Sequence, residues 1–488
     1  MVGVSMIRIL KGSWKSLVEE REIEFDTENP IRLPIISSIC IWPVLMVYLV
    51  VLGSMLSDYL PSPYFPMWMA LAGLLTFVAM QSNGRKLRVL VVVSIVAFIV
   101  RLLVVLTYQI EPVSDFKSTY DVACRLAAAP VSDWAAVTHG TMYYDNWVFY
   151  MPFIVFEAVV VKVFGPSILS LQVVFAASTA LTCFFTGLVA QKIGGYKAGI
   201  GAALLLAFNP TVILFTPVLS SQHVATLLFV VGVYFVINRP IRVAVLNDVA
   251  GLFFFALSHL FRPEMYVVLI ALVCLYIVRA IGCWRENGKS KKFIVRRFVV
   301  SLGMLLVFFA VTVGTMTVLS ATRLIKQSDI DHTGYKIAVG LNKESGGRYN
   351  KEDMLLTAQS DYDYWPLIGQ RLSNKLELIR LISEKTVYQW AYYNYHWSYG
   401  AKDPLLTTFV PPAVNGYMFV VFVMGAVTLL LVYRRTKSGE LFMVIVCLGY
   451  FLVFAVIEVQ TRYNYILIPI FTILAAQLVP RLSRLWGR

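Results

Sequence analysis

Charge is scarce in this sequence. Only 14% of its 488 residues are Asp, Glu, Lys or Arg, against 58% apolar, whereas a soluble domain carries roughly 25% charged residues. Such a chain cannot build a water-facing surface of ordinary polarity, so most of it is expected in lipid. That excludes a soluble enzyme, a nucleic-acid-binding module and a disordered protein. Metal-type cysteine spacing is also missing: the six cysteines stand at 40, 124, 183, 274, 283 and 447, mostly in apolar runs. A disulfide framework or zinc site is therefore not expected. No cleavable signal peptide is expected either, because the first long apolar run starts after about thirty residues and is long enough to span. Internal repeats, low-complexity tracts and the tandem inverted hydropathy of transporters are absent.

What the chain does have is long apolar runs and a net charge of +14. In a membrane protein such an excess reflects the positive-inside bias and anionic headgroups. A spanning helix needs about 20 apolar residues. Twelve runs qualify: 35–56, 66–81, 89–108, 167–190, 198–214, 221–237, 243–260, 264–281, 298–320, 411–433, 440–458 and 463–480. The run 147–164 holds Pro152, Glu157 and Lys162 and ends at Gly165-Pro166, which suits a helix lying along the interface. With both termini inside, the inside segments hold 25 Lys and Arg and the outside ones 16, of which 11 lie in the long segment 321–410. Long loops count little in this rule. The expected architecture is all-α and polytopic. It has a cytoplasmic segment 1–34, a transmembrane hairpin 35–81, a core 82–320 with a first outer loop 109–166, a cap segment 321–410 and C-terminal spans with a basic tail, 411–488. A short amphipathic helix is expected over Ile7–Glu20.

Polar residues are costly in such a chain and therefore informative. Glu111 and Asp115 stand four apart at the outer mouth of 89–108. A carboxylate at the rim of an apolar cavity is partly desolvated, which suits a general base; a solvated helix-end carboxylate is the equal alternative. Asp145 reads first as a cap for the surface helix. Lys162 can snorkel to lipid phosphate or meet a ligand phosphate. At one tight outer corner, Ser258-His259-Leu260-Phe261-Arg262-Pro263-Glu264, Arg262 suits a bound phosphate, since a guanidinium holds two phosphate oxygens at once. A local Arg262–Glu264 pair is the plainer reading. Glu458 and Arg462 mark another outer corner, where phosphate binding competes with an i,i+4 ion pair. Arg101 lies inside a span and needs a partner, with Glu157 or Glu458 as possible counter-ions. His223, in Ser220-Ser221-Gln222-His223, has no second His at zinc spacing. No tightly bound metal is expected, while dependence on a loosely held divalent ion stays open. The turn-forming stretch Gly340–Asp353 is followed by an aromatic run, Tyr388–Tyr399, which suits sugar stacking and, slightly better, an interfacial belt.

Four stretches together resemble the GT-C superfamily of multispan glycosyltransferases that use polyprenyl-phosphate sugars, most nearly the bacterial family-39 type related to protein O-mannosyltransferases and aminoarabinose transferases. They are Ser114-Asp115-Phe116 in the first outer loop; the aromatic–Pro helix ending Val163-Phe-Gly-Pro, with the later basic turn Gln191-Lys-Ile-Gly-Gly-Tyr-Lys197; the Asn209-Pro210 span with its polar corner; and Arg262-Pro263-Glu264, followed late in the chain by Glu458-Val-Gln-Thr-Arg462-Tyr463. The likeness covers roughly 89–281 and 440–480. It implies a GT-C-like bundle of about 12 spans in a bacterial plasma membrane, with outer interfacial helices and a small extracytoplasmic cap. It implies inverting transfer of a monosaccharide from a polyprenyl-phosphate donor to a hydroxyl of a glycan, lipid or protein. Asp115 would be the base, with Glu111 next in line. Arg262, Arg462 and Lys162 would hold the donor phosphate, and Asp145, His223, His259, Glu458 and Tyr463 would line the cavity. No cofactor is implied. The chain departs from the family where Gln222-His223 replaces an acidic residue and where Tyr150-Met151-Pro152 replaces His-Pro-Pro, so specificity for mannose or for protein acceptors does not carry over. A lipid-diphosphate polymerase or ligase is the nearest competing reading. A transporter or lipid flippase is the competitor from another class.

Overall fold

The computed structural model describes residues 34–82, 87–108, 110–145, 147–287, 291–326, 332–353, 363–392 and 404–486. Its regular elements are helices: α1 Pro34–Tyr59, α2 Tyr64–Gln81, α3 Leu87–Thr107, α4 Asp115–Ala128, α5 Met151–Phe164, α6 Ile168–Gly194, α7 Tyr196–Ala207, α8 Pro210–Phe215, α9 Gln222–Asn238, α10 Ala244–Phe261, α11 Tyr266–Asn287, α12 Lys291–Ala321, α13 His332–Gly340, α14 Trp365–Leu372, α15 Lys375–Ala391, α16 Pro404–Val432, α17 Ser438–Val456, α18 Ile468–Ala476 and α19 Val479–Trp486. One-turn helices fill the loop between α4 and α5, and a 3-10 segment, Thr461–Leu467, precedes α18. The expected helix at 7–20 and the aromatics 393–399 lie outside the described residues.

Seven helical stretches are long and apolar enough to cross a membrane: Ile35–Tyr59, Tyr64–Gln81, Leu87–Thr107, Ile168–Gly194, Thr408–Val432, Ser438–Val456 and Thr461–Trp486. Helix α3 shows why lipid is the solvent. Val92, Ile95, Ile99, Leu103 and Leu106 stand exposed along it, a stripe that water would penalise. The other runs expected to span fall on shorter apolar helices. The run 198–214 is not one helix, because Pro210 has no N–H to donate and clashes with the preceding turn. The chain stops at Ala207 and restarts at Pro210, where the Asn209 side chain accepts from the Thr211 N–H at 2.9 Å.

Small residues let the helices touch. A Cβ on Gly232 of α9 would lie 2.5 Å from the Phe255 ring and 3.0 Å from the Gly251 carbonyl of α10. Elsewhere the core is aromatic: Trp390 of α15 is buried with its ring 4.7 Å from Phe451 and 5.8 Å from Phe454. Within the described part of the aromatic run, Trp390 thus packs inside the fold, while Tyr388 and Tyr392 are half-buried.

The two ends of the bundle differ. At one end Lys197 donates to the Met80 carbonyl at 2.6 Å and Lys437 to the Ile193 carbonyl at 2.7 Å, while Arg481 faces Glu440 at 3.6 Å. The opposite end gathers the two long segments. The Lys326 N–H bonds the Tyr144 carbonyl at 2.8 Å, and α13 and α14 share a small apolar core of Tyr335, Ala338, Val339, Leu341, Tyr364 and Ile368. Buried Lys385 ties α15 to the end of α17 through the Ala455 and Ile457 carbonyls, both at 2.9 Å. These are carbonyls that a helix terminus leaves without intrahelical donors.

Candidate functional site

At this second end a cavity of about 330 Å³, open mouth included, is lined by Asp115, Phe116, Thr119, Tyr150, Phe153, Ser220, Ser221, Gln222, Arg262 and Arg462. Five separate parts of the chain meet there. Asp115 is the first residue of α4 and follows Ser114, whose φ of 51° and ψ of −130° are strained for a residue with a Cβ. This sharp entry sets the direction of α4 and points Thr119, one turn on, to the same side. The Asp115 side chain is 53% exposed and its Oδ2 lies 3.6 Å from Arg462 Nη2. The aspartate thus sits half-exposed at the rim with a guanidinium neighbour beside it.

Arg462 is fixed on its other side. Its Nε donates to Gln460 Oε1 at 2.7 Å, and Gln460 Nε2 donates to Glu458 Oε1 at 2.8 Å. Glu458 is 1% exposed and forms an ion pair with Lys336 of α13. Desolvation works against the Lys336 charge, but Tyr463 and Glu458 outweigh it and hold the ammonium above the usual lysine range. The expected Glu458–Arg462 pair is thus replaced by two pairs bridged by one glutamine. Arg262 ends α10 and pairs with Glu264, as its plainer reading anticipates, yet it also lines the cavity. Its guanidinium carbon lies 4.9 Å from the centre of the Tyr463 ring, and that of Arg462 lies 5.8 Å from the same ring. One aromatic ring thus neighbours both cations. Arg462 also rests on Phe116 at 5.1 Å. Burial raises the Tyr150 phenol above the ordinary tyrosine range despite nearby Arg462, so it stays a neutral donor. Gln222 completes the rim: it accepts from Ser220 Oγ at 3.0 Å and donates to the Arg462 carbonyl.

Several expected site residues lie elsewhere. Glu111 is exposed in the loop after α3 and does not line the cavity; because α3 stops at Thr107 and α4 starts at Asp115, the two carboxylates share no helix face. Lys162 donates to the Ala127 and Ala129 carbonyls at 3.3 and 3.0 Å, where its charge caps the end of α4 rather than meeting the arginines. Asp145 closes a one-turn helix and caps nothing on α5, which starts six residues later at Met151. His223 is buried behind the rim, held by Tyr465 Oη and the Val218 carbonyl at 3.1 Å each. His259 packs on Tyr266 and Phe308. Arg101 pairs with neither Glu157 nor Glu458: its Nη1 donates to Ala97 and Ala207, and its Nη2 to Leu206. Two of these, Leu206 and Ala207, are carbonyls at the end of α7, where the helix breaks before Pro210. Among the described residues no group of three His, Cys, Asp or Glu could hold a metal.

Thr119, Tyr150, Phe153 and Lys336 were not legible as site residues. Thr119 follows Asp115 by four positions, a signal readable only once the helix start is known. Lys336 has no local signature. No protein-family model matches this chain, and no curated protein is significantly similar to it in sequence.

Proposed function

We propose that the chain is a membrane glycosyltransferase of GT-C type, moving a sugar from a polyprenyl-phosphate donor to an acceptor hydroxyl. The observation that supports this most is the convergence of Asp115, Arg262 and Arg462 on one small cavity at one end of an apolar bundle. Asp115 would accept the proton of the acceptor hydroxyl as its oxygen attacks the anomeric carbon from the face opposite the phosphate, which inverts the centre. The bond between that carbon and the phosphate oxygen breaks, and the departing phosphate takes the charge. Arg262 and Arg462 would stabilise it. The neutral polar groups of Tyr150, Ser220, Ser221 and Gln222, which line the same cavity, would meet sugar hydroxyls. Lys162, spent on carbonyls, is left out of this scheme. In the full reading the shorter apolar helices also cross, giving twelve spans, and the cavity opens on the extracytoplasmic face beneath α13–α15.

The test is turnover of the purified protein with a panel of polyprenyl-phosphate sugars and, in parallel, polyprenyl-diphosphate sugars. Release of a lipid monophosphate is the expected product. Asp115→Asn should lower turnover by about 10²–10⁴-fold, the usual share of general-base help. It should bind lipid phosphate at least as tightly as wild type, because Arg462 loses its only acidic neighbour in the cavity lining. More than about a tenth of wild-type turnover would remove Asp115 as the base.

A further inference from the structure

We propose that the Lys336–Glu458 ion pair acts as a charge shield that keeps Arg462 available for an anionic phosphate. The inference rests on the reading that Arg462 meets a phosphate. Glu458 is the buried anion nearest in sequence to that arginine, and Gln460 links the two side chains through a pair of hydrogen bonds, 2.8 and 2.7 Å long. An acid so placed and left unpaired would draw the guanidinium toward itself, and its field would oppose a phosphate in the cavity. Lys336 removes that field. It reaches Glu458 from α13, a different layer of the fold, and the contact is built in by the backbone: the Glu458 N–H donates to the Lys336 carbonyl at 2.8 Å. Gly340, at the end of the same helix, lies so close to 456–458 that a Cβ there would come within 2.6 Å of the Glu458 nitrogen. The neutral amide of Gln460 then orients Arg462 without drawing on its charge. The remaining acid near Arg462 is Asp115, at 3.6 Å and half-exposed. That contact is loose enough for a phosphate to share. Lys336, Glu458 and Gln460 are thus positioning residues, and α13 is the part of the fold that tunes phosphate affinity.

The experiment measures binding of farnesyl phosphate to the full chain in uncharged detergent by calorimetry, with farnesol as the uncharged control. Lys336→Met should weaken phosphate binding about tenfold or more, as an uncompensated buried charge at this range predicts. Glu458→Gln should bind as tightly as wild type or a few-fold tighter. The double variant Lys336→Met/Glu458→Gln should return to within about threefold of wild type. A pair that is only scaffold makes a different pattern, with both single variants weaker and the double no better; that pattern overturns the proposal. So does a Lys336→Met variant that binds like wild type. If Lys336→Met does not fold, Glu458→Gln decides alone: weaker binding refutes the shield and tighter binding supports it. Failure of wild type itself to prefer farnesyl phosphate over farnesol sinks the phosphate reading together with this one.

Discussion

Glu157 occupies a costly position. It is fully buried on α5, with no charged partner and at most the Thr119 hydroxyl beside its carboxyl among the described residues. Burial raises its carboxyl well above the ordinary glutamate range, with Thr119 easing the shift in part. The consequence for stability has a definite sign. The unfolded chain releases this proton near the usual carboxylate pKa while the folded chain keeps it, so the folded state binds more protons and stability falls as pH rises beyond that range. Glu157→Leu, similar in size and apolar, removes the penalty. Its melting temperature in detergent should exceed wild type at pH 8, and the difference should shrink toward pH 4; an equal melting temperature at both would contradict the assigned burial. Arg101 is the opposite case, a buried charge that is well supplied with acceptors. Arg101→Leu takes the donor from the Ala207 carbonyl in an apolar setting and leaves Leu206 with backbone N–H contacts alone, and should cost roughly 2–3 kcal/mol. Thermal unfolding checks this, and a loss below about 1 kcal/mol would mean that other donors take over.

The helices carry the same lesson one level up. Pro210 breaks the run 198–214, and a break inside the bundle leaves carbonyls that lipid cannot satisfy. Two side chains from elsewhere help to close it: Arg101 takes Leu206 and Ala207, and the Tyr417 hydroxyl takes Leu205 at 2.8 Å. The break and the in-span arginine are therefore one feature, though they stand about a hundred positions apart. The entry to α4 is a second local device. Ser114 holds a backbone conformation natural to glycine, so Ser114→Gly should relieve about 1 kcal/mol of strain and raise the melting temperature while leaving α4 in register. A fall in melting temperature would show that the serine side chain supports the loop. The contact of α9 with α10 has no such slack. Gly232→Leu would drive its side chain into Phe255 and the Gly251 carbonyl and should cost about 1–3 kcal/mol by overpacking.

For the molecule as a whole, the basic ends of α6, α16 and α19 and the two long segments lie at opposite ends of the bundle. Under the proposed topology, which follows the charge rule, 109–166 and 321–410 would face outward. A cysteine in place of Glu344, at the cavity end, should label in intact cells with an impermeant maleimide, and one in place of Arg434, which is exposed at the other end, should label only after lysis. The reverse pattern would put the cavity on the cytoplasmic side and undo the donor assignment.

Membrane character, the positions of the apolar helices and the choice of Asp115, Arg262 and Arg462, which the fold brings to one cavity, were already readable from the chain. Each rests on a local property: composition over about 20 residues, a charge where charge is expensive, a proline where a helix must stop. Pairing beyond the local Arg262–Glu264 contact was out of reach. Glu458 had two arginines as sequence-level partners and found Lys336; Lys162 turned to α4; Arg101 took carbonyls instead of an acid. Glu111 fell out of the site because a helix ended eight residues before Asp115 rather than fraying into it. Which charge meets which depends on how helices far apart in the chain are stacked, and in a low-dielectric interior the nearest acceptor wins over the nearest in sequence. That stacking is set by small residues and aromatic contacts across the bundle, and only the tertiary structure decides it.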